Sequence, residues 1–373
     1  MNAFSWSRIA TAAGALLFCA TVAAQEVNVG AILALTGPNA FAGVASQEGI
    51  LVALEEVNAA PGTKIRLQIE DSASEKTQAI TLANRFGSDQ RYLAVLGPTS
   101  SSEGVSVAPV ANAVAVPLVT TTATADAITK AGQWSFKTPA SPNVIIEEIA
   151  KYAVEKGGVK RVVLVSNGDN EGSVNQKDFA KRYFEAHGVN VLSDDLVLST
   201  DSNFLALVTK MTAQNIDAVY TTILAEQAAN LIVQARQAGL DPKVRFFGTP
   251  TMGSERFIAV GGKAVEGSTF VADYFVGSTS SENTKFVDAF QKKYKKFPDN
   301  WAALGYTALK VVAQAVRSAG PNPTRESVRR ELAKIRDMPT ILGTGKFSFD
   351  ENRNPHYGAF IVSVQNGKFV MAQ

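Results

Sequence analysis

The chain has 373 residues, a length that suggests two α/β lobes rather than one ordinary domain. Hydrophobic residues make up 46% of it and charged residues 19%, so it can bury large cores. With 36 basic and 34 acidic residues the formal charge is only +2, and neither nucleic acid nor an anionic membrane surface is an expected partner.

The first 24 residues have the pattern of a secretory signal peptide. Arg8 precedes a short apolar stretch at 9–22, and the small residues 23–24 offer a cleavage site. The apolar stretch is too short to span a bilayer comfortably. We therefore expect cleavage and export. The only cysteine, Cys19, lies in this segment, so no disulfide is expected in the mature chain.

Strands and helices then alternate along the chain, as apolar runs and apolar positions at helical spacing indicate. The first part predicts strands at 27–33, 64–69, 92–96 and 116–120, and helices at 46–58, 75–86 and 103–113. The rhythm restarts with helices at 144–155, 176–186, 204–214 and 226–238, and strands at 161–166, 189–196, 217–221 and 244–247.

The last part of the chain is predicted to be mostly helical, with a hairpin at its end. Helices are predicted at 284–296, 301–318 and 325–335, and the tail FIVSVQNGKFV is typical of a hairpin that turns at Asn366-Gly367. Strands that alternate with helices predict parallel sheets, so the whole pattern favours an α/β fold with two doubly wound lobes. Several short crossings between the lobes would keep their relative motion hinge-like.

Ligands of open parallel sheets bind beyond the carboxyl ends of the strands. That rule selects five loops, which are rich in hydroxyls, glycines and amides and nearly free of cations: 34–43, 97–102, 120–124, 166–173 and 248–253.

The loop at 97–102 holds four consecutive hydroxyls, Thr99 to Ser102, between a strand and a helix. One serine could cap the helix through the Ser-x-x-Glu spacing. A carboxylate could also be received there by hydroxyls and free backbone N–H groups, together with the threonines at 120–124. The residues alone leave both interpretations open.

An enzyme is not expected. The serine run lacks the G-x-S-x-G pattern of a nucleophile elbow, and the two histidines, His187 and His356, lie in turn-like surroundings. The chain also lacks metal-ligand spacing, a calcium loop, a P-loop and a dinucleotide fingerprint, so neither a metal nor a cofactor is predicted. A serine hydrolase based on Ser100 and a ligand-sensing partner of a membrane receptor remain alternative classes.

Four stretches, in this order, resemble the leucine/isoleucine/valine-binding type of periplasmic solute-binding protein: GAILALTGPNAFAGVASQEGILVALEEVN, LGPTSSSEGVSVAPVANAVAVPLVTTTATADAIT, NIDAVYTTILAEQAANLIVQARQAGL and WAALGYTALKVV. The resemblance implies the type I periplasmic-binding fold, with two doubly wound parallel-sheet lobes joined by three hinge crossings. It also implies a periplasmic monomer that binds a small solute between its lobes and delivers it to an ABC-type membrane permease. We place lobe 1 at 25–140 with 272–345, and lobe 2 at 141–271 with 346–373.

The resemblance also implies ligand-binding positions. The family's carboxylate-binding residues fall on Ser100 and Thr124, and the carbonyl that receives an amino acid's ammonium falls on Thr122. The other matching positions are an apolar wall at Pro98 and Thr99, aromatic positions at Trp301 and at Phe41 or Ala42, and positions that often carry a covering aromatic at Leu224 and Glu171.

One departure bears on the ligand. Family members that bind amino acids have an acidic residue after the strand ending near Gly248, and here the matching position is Pro250. A buried ammonium without a counter-charge costs roughly 1–3 kcal/mol. We therefore expect a monocarboxylate that lacks an α-amino group, such as an aromatic acid packed on Trp301 and Phe41. A hydrophobic or branched-chain amino acid is the alternative, and Glu171 is a residue that could supply its negative charge.

Overall fold

The computed structural model describes residues 26–372, apart from the side chains of Pro142 and Asn143. The predicted signal peptide and Cys19 lie outside the described residues. Across residues 26–372, none of the helices has the length and apolar character that a membrane crossing requires.

The first sheet is built from the first third of the chain. Its strands β1–β5 are parallel, in the order β2-β1-β3-β4-β5. Val29 and residues 31–33 of β1 are fully buried, as expected for a strand covered by helices on both faces. The elements are β1 (Glu26–Leu33), α1 (Ala40–Ala59), β2 (Lys64–Asp71), α2 (Lys76–Ser88), β3 (Tyr92–Leu96), α3 (Ser101–Ala113), β4 (Leu118–Thr120), α4 (Ala127–Lys130) and β5 (Ser135–Lys137).

The middle of the chain repeats this arrangement. Its five strands are parallel, in the order β7-β6-β8-β9-β10, which is the same winding as in the first sheet. The elements are α5 (Pro142–Glu155), β6 (Arg161–Asn167), α6 (Glu171–Ala186), β7 (Asn190–Val197), α7 (Leu205–Thr212), β8 (Ala218–Thr221), α8 (Ala225–Gln237), β9 (Arg245–Gly248), α9 (Glu255–Gly261) and β10 (Thr269–Ala272), with 3₁₀ turns at Pro250–Gly253 and Gly262–Val265.

The rest of the chain returns to the first sheet and then completes the second. Helices α10 (Ser281–Tyr294), α11 (Asn300–Ser318) and α12 (Arg325–Ala333) come first, and α11 and α12 contact the first sheet. Strands β11 (Met338–Pro339), β12 (Lys346–Phe349) and β13 (Pro355–His356) form a small separate sheet. The hairpin of β14 (Phe360–Gln365) and β15 (Lys368–Met371) adds to the second sheet antiparallel to β10.

Two helices begin more than one turn earlier than the sequence predicts. Helix α6 begins at Glu171 rather than at 176, because the side-chain oxygen of Asn170 accepts hydrogen bonds from the N–H groups of Gly172 and Ser173, at 2.9 and 3.3 Å. Helix α1 begins at Ala40 rather than at 46. The predicted tail hairpin is confirmed: Asn366 and Gly367 have positive φ, as a type I′ turn requires.

Helices α1 and α11 pack closely because a glycine on each helix faces the backbone of the other. A Cβ on Gly49 would lie 1.8 Å from the carbonyl oxygen of Ala302, and a Cβ on Gly305 would lie 2.2 Å from that of Ser46. Neither position tolerates a side chain without a shift of one helix. We call this contact the α1–α11 glycine contact.

The three chain crossings between the two sheets contact one another through two buried hydrogen bonds. The hydroxyl of Tyr357 donates to the carboxylate of Asp273 and accepts from the N–H of Ala140, at 2.6 Å from its nitrogen. Each residue belongs to a different crossing, and Asp273 and Tyr357 are almost fully buried. The crossings are therefore linked side by side. The exact lobe boundaries stay a prediction.

Replacing Tyr357 with phenylalanine is expected to lower the free energy of unfolding by about 1–3 kcal/mol, because the Asp273 carboxylate and the Ala140 N–H lose their partner. Burial raises the pKa of Asp273, and the hydrogen bond from Tyr357 opposes that rise. A raised folded-state pKa means that stability falls as pH rises through it. Without this hydrogen bond the pKa of Asp273 is higher still in the variant. Urea denaturation should therefore show a larger loss of stability at about pH 8 than at about pH 4.

The control for this prediction is Tyr92→Phe. The hydroxyl of Tyr92 bonds to the side-chain amide of Gln68 rather than to a carboxylate. Loss of this hydrogen bond should lower the free energy of unfolding by the same amount at both pH values. An equal loss at both pH values for Tyr357→Phe as well would contradict the assigned role of Asp273.

Candidate functional site

The carboxyl ends of the strands in both sheets face a cavity of about 60 Å³. Such a position, beyond the point where the strand order reverses, is where doubly wound folds bind ligands. The first lobe lines it with Asn39, Phe41, Ala42, Thr99, Ser100, Ser101, Thr122, Thr124 and Trp301, and the second with Asn167, Asn170, Gly172, Ser173, Gln176, Thr222, Leu224 and Thr251.

Three of the predicted positions are not in this lining. Pro98 is buried beside Thr99 but does not line the cavity. Pro250 is buried in its 3₁₀ turn, and the next residue, Thr251, reaches the cavity instead. Glu171 is exposed at the first position of α6. The structure brings the other predicted residues together around the cavity: Ser100, Thr124, Thr122, Thr99, Phe41, Trp301 and Leu224.

Ser100 is the N-cap of α3. Its Oγ accepts from the N–H of Glu103 at 3.3 Å, while its own N–H and hydroxyl donate to Glu103 Oε2 at 3.1 and 2.6 Å. The capping box expected from the Ser-x-x-Glu spacing is confirmed. Glu103 is 1% exposed, and its other carboxylate oxygen has no hydrogen-bond partner among the described residues.

The other hydroxyls of the run have separate partners. Thr99 Oγ1 accepts from the N–H of Ala34 at 2.9 Å and so joins the first two cavity loops. Ser101 Oγ accepts from the N–H groups of Thr124 and Ala125, at 3.0 and 3.2 Å, and fixes the threonine loop. Capping therefore explains only the first serine, and the rest of the run positions the neighbouring loops.

Five helices begin at the cavity: α1, α3, α6, α8 and α11. Lining residues Asn39, Ser100, Asn170 and Leu224 are N-caps, and Trp301 is in the first turn of α11. Each helix start carries roughly half a positive charge. Of the described residues that line the cavity, none is charged. The backbone therefore contributes a positive potential to this site, and it is opposed by carboxylates at four of the helix starts: Glu103, Glu171, Glu226 and the N-cap Asp299.

A buried cation supports the same region, and the sequence reasoning missed it. Lys137, at the end of β5, donates from Nζ to the carbonyl of Thr124 at 2.9 Å, to Asp126 at 2.8 Å and to Ser141 Oγ at 3.2 Å. Its side chain is fully buried. Burial lowers the pKa of Lys137, and the ion pair with Asp126 opposes that change. A single lysine in the buried strand SFK was the only sequence signal.

Phe41 and Trp301 form an aromatic wall at the cavity, with ring centroids 6.0 Å apart in an edge-to-face arrangement. The α1–α11 glycine contact holds their two helices together. Phe41 and Leu224 also line an open cleft of about 710 Å³ outside the cavity. These two side chains therefore separate the inner cavity from the cleft mouth.

The second lobe presents amides and hydroxyls. The sequence selected their loop at 166–173 without assigning its amides or serine to the site, and it did not point to Thr222. Asn167 donates to Gln227 at 2.9 Å and accepts from the N–H of Leu224 at 3.1 Å. Ser173 Oγ donates to the carbonyl of Thr222 at 2.7 Å. These bonds join the loops after β6 and β8 into one polar wall.

Both histidines lie elsewhere. His187 Nδ1 lies 2.8 Å from the carbonyl oxygen of Tyr183 at the end of α6, and His356 lies 3.4 Å from Asp350. Neither lines the cavity. Over residues 26–372, the structure contains no cluster of three or more histidine, cysteine, aspartate or glutamate side chains suited to a metal ion.

The comparisons with known proteins agree with this architecture. A family model for periplasmic binding proteins matches residues 26–368. The Leu/Ile/Val-binding protein BraC3 of Rhizobium johnstonii is 28% identical over 382 residues, which cover 98% of both chains.

Solved structures show the same fold. The leucine-binding protein LivK of Thermotoga maritima has a TM-score of 0.86 and 29% identity, covering 93% of this chain and 98% of that one. An ABC-transporter solute-binding protein of R. palustris, solved with benzoate, has a TM-score of 0.84 and 22% identity, covering 93% and 95%. The fold is thus the type I periplasmic-binding fold, that of ABC-transporter substrate-binding proteins, and the chain belongs to the periplasmic binding protein family.

Proposed function

We propose that the chain is the extracytoplasmic solute-binding component of an ABC importer, and that its ligand is a small monocarboxylate without an α-amino group, such as an aromatic acid. One observation carries the choice of ligand: five helix N-termini converge on a cavity whose described lining has no charged side chain. Such a site stabilises an anion without a counter-cation. Lys137, behind Thr124, offsets the charge of Asp126 in the same region.

The position of the acidic groups supports the absence of an ammonium. Thr251 faces the cavity beside Pro250, and Glu171 is exposed rather than directed at the ligand. The second candidate, a hydrophobic amino acid, is favoured by the names of the relatives and by the unpartnered carboxylate oxygen of Glu103. Glu103, however, lies behind Ser100 and does not line the cavity.

Ligands matched in shape separate the two candidates. 3-Phenylpropanoate and phenylalanine differ only in the amino group, as do 4-methylpentanoate and leucine. Isothermal titration calorimetry should show binding of 3-phenylpropanoate or benzoate, and weaker or no binding of the amino acids. Binding of phenylalanine or leucine with none of the acids would establish the second candidate instead.

The proposed mechanism is closure of the lobes over the ligand. The first lobe holds the carboxylate at Ser100 and Thr124, and the second lobe covers the other end, so the ligand favours the closed form. A permease would then recognise the closed surface of a periplasmic monomer exported by its signal peptide. Loss of ligand uptake after deletion of the gene supports this role, whereas unchanged uptake with a lost signalling response supports a receptor partner. The lack of a histidine near Ser100 argues against a hydrolase.

Ser100→Ala is expected to weaken ligand binding by about 1–3 kcal/mol, because the variant loses the hydroxyl that we expect to turn from Glu103 and donate to the ligand's carboxylate. It should also lower the free energy of unfolding by about 1 kcal/mol through loss of the cap. Calorimetry and chemical denaturation measure the two effects separately.

Thr324→Ala is the matched control. Thr324 forms the same kind of capping box at the start of α12 and does not line the cavity. Its replacement should cost similar stability and leave affinity unchanged. If Ser100→Ala also leaves the dissociation constant unchanged, Ser100 is a helix cap and not a ligand-binding residue.

A further inference from the structure

The two lobes contact each other directly at the rim of the cavity. Ser102 Oγ, on α3, donates to the carbonyl of Asp169 in the loop after β6, at 3.2 Å. Gln176 Nε2, on α6, lies 3.4 Å from Thr124 Oγ1. Neither contact requires a ligand between the lobes. Ser102 does not line the cavity, so its hydroxyl contacts the other lobe rather than the ligand site.

Gly172 lies at the closest point of this contact. A Cβ at this position would be 2.3 Å from Ser101 Oγ, 2.8 Å from Thr124 Oγ1 and 3.0 Å from Ser101 Cβ. Its φ is not positive, so the backbone conformation does not call for glycine here. Glycine is needed because the start of α6 abuts the start of α3.

We propose that these residues form an interlobe latch, made of Ser101, Ser102 and Thr124 on the first lobe and Asp169, Gly172 and Gln176 on the second. The latch stabilises the closed form through protein contacts alone. The apparent affinity for any ligand depends on the fraction of molecules that can close, so the latch raises affinity by favouring closure, separately from any contact that its cavity-lining members make with the ligand. This inference goes beyond the proposed function because it holds whichever solute is bound.

Disulfide trapping tests the latch without a ligand. Cys19 is the chain's only cysteine, so a Cys19→Ser background provides a cysteine-free protein. In that background, the pair Ser101→Cys and Gly172→Cys places two Cβ atoms about 3 Å apart, and they need to separate by about 0.5–0.8 Å for a disulfide. Mild oxidation should protect both thiols from alkylation and lower the mass by about two hydrogens.

The matched control pairs Ser101→Cys with Gly168→Cys. Gly168 is in the loop just before α6, but a Cβ there would contact Leu196 at an ordinary 3.4 Å and not Ser101. Both thiols of this pair should stay alkylatable. If the thiols of the Ser101–Gly172 pair stay equally alkylatable in protein with an unchanged circular dichroism spectrum, the latch does not form and the proposal is wrong.

Ser102→Ala tests the effect on binding. Benzoate and leucine are the probes, and whichever binds the unmodified chain should bind the variant about two- to tenfold more weakly. Ser106→Ala is the control, because Ser106 is on the same helix and its hydroxyl donates within that helix to the carbonyl of Ser102 at 2.9 Å. Equal affinities for the two variants would refute the affinity role. If neither probe binds the unmodified chain, the proposed ligand fails, and disulfide trapping still decides the latch.

Discussion

Replacing Lys137 with methionine is expected to weaken binding of a carboxylate ligand by about tenfold and to lower the free energy of unfolding by about 3 kcal/mol. The stability is lost because Asp126, the carbonyl of Thr124 and Ser141 Oγ all lose the same ammonium. The affinity is lost because the cation lies directly behind the loop that faces the ligand. Titration calorimetry with 3-phenylpropanoate or benzoate and urea denaturation measure these two effects.

Lys130→Met is the matched control. Lys130 is exposed on the neighbouring α4, so its replacement removes the same charge without breaking buried hydrogen bonds. Its effects on affinity and stability should both be small. If Lys137→Met loses stability but keeps the affinity for the carboxylate, Lys137 has a structural role only, and the anion is held by the helix N-termini without it.

Gly49→Val is expected to lower the free energy of unfolding by about 3 kcal/mol and to weaken binding of aromatic acids. The added Cβ would overlap the carbonyl of Ala302, so α1 and α11 must separate. Because α1 carries Phe41 and α11 carries Trp301, this separation opens the aromatic wall. Urea denaturation and tryptophan fluorescence measure the change, and Gly305→Val should produce it from the other helix.

Ala59→Val is the matched control for Gly49→Val. Ala59 is the exposed last residue of α1, so a β-branched side chain there meets solvent rather than α11. An unfolding midpoint of Gly49→Val equal to that of Ala59→Val would show that the helices can accommodate a side chain at their contact. The link between the glycine contact and the aromatic wall would then be wrong.

Periodicity and loop composition could predict much of the fold from the sequence. Alternating apolar runs predicted the strands of both parallel sheets, apart from the short β5 and β10, and Asn366-Gly367 predicted the hairpin turn. The Ser-x-x-Glu spacing predicted the cap on α3. These features depend on residues close together in the chain, and for that reason local reasoning was sufficient.

The features that the sequence did not predict depend on distant residues. Lys137 has the periodicity of a strand residue, and only the folded chain shows that its three partners come from two other segments, at 124–126 and at Ser141. Gly49 and Gly172 resemble any other glycine until Ala302 and Ser101 are placed against them. The sequence selected the loop at 166–173 but not its contact with Thr222, because Ser173 and Thr222 meet only when β6 and β8 pair.

Because five helix N-termini converge on the cavity, the main chain and the side chains contribute differently to ligand recognition. Under the proposed function, much of the preference for a negative group comes from the main chain, with Ser100 and Lys137 adding to it. The contour of the cavity is set by side chains, among them Phe41, Leu224 and Thr251. Mutation can therefore reshape the solute preference while the preference for an anion persists. A protein built this way is a favourable starting point for selecting binders of new organic acids.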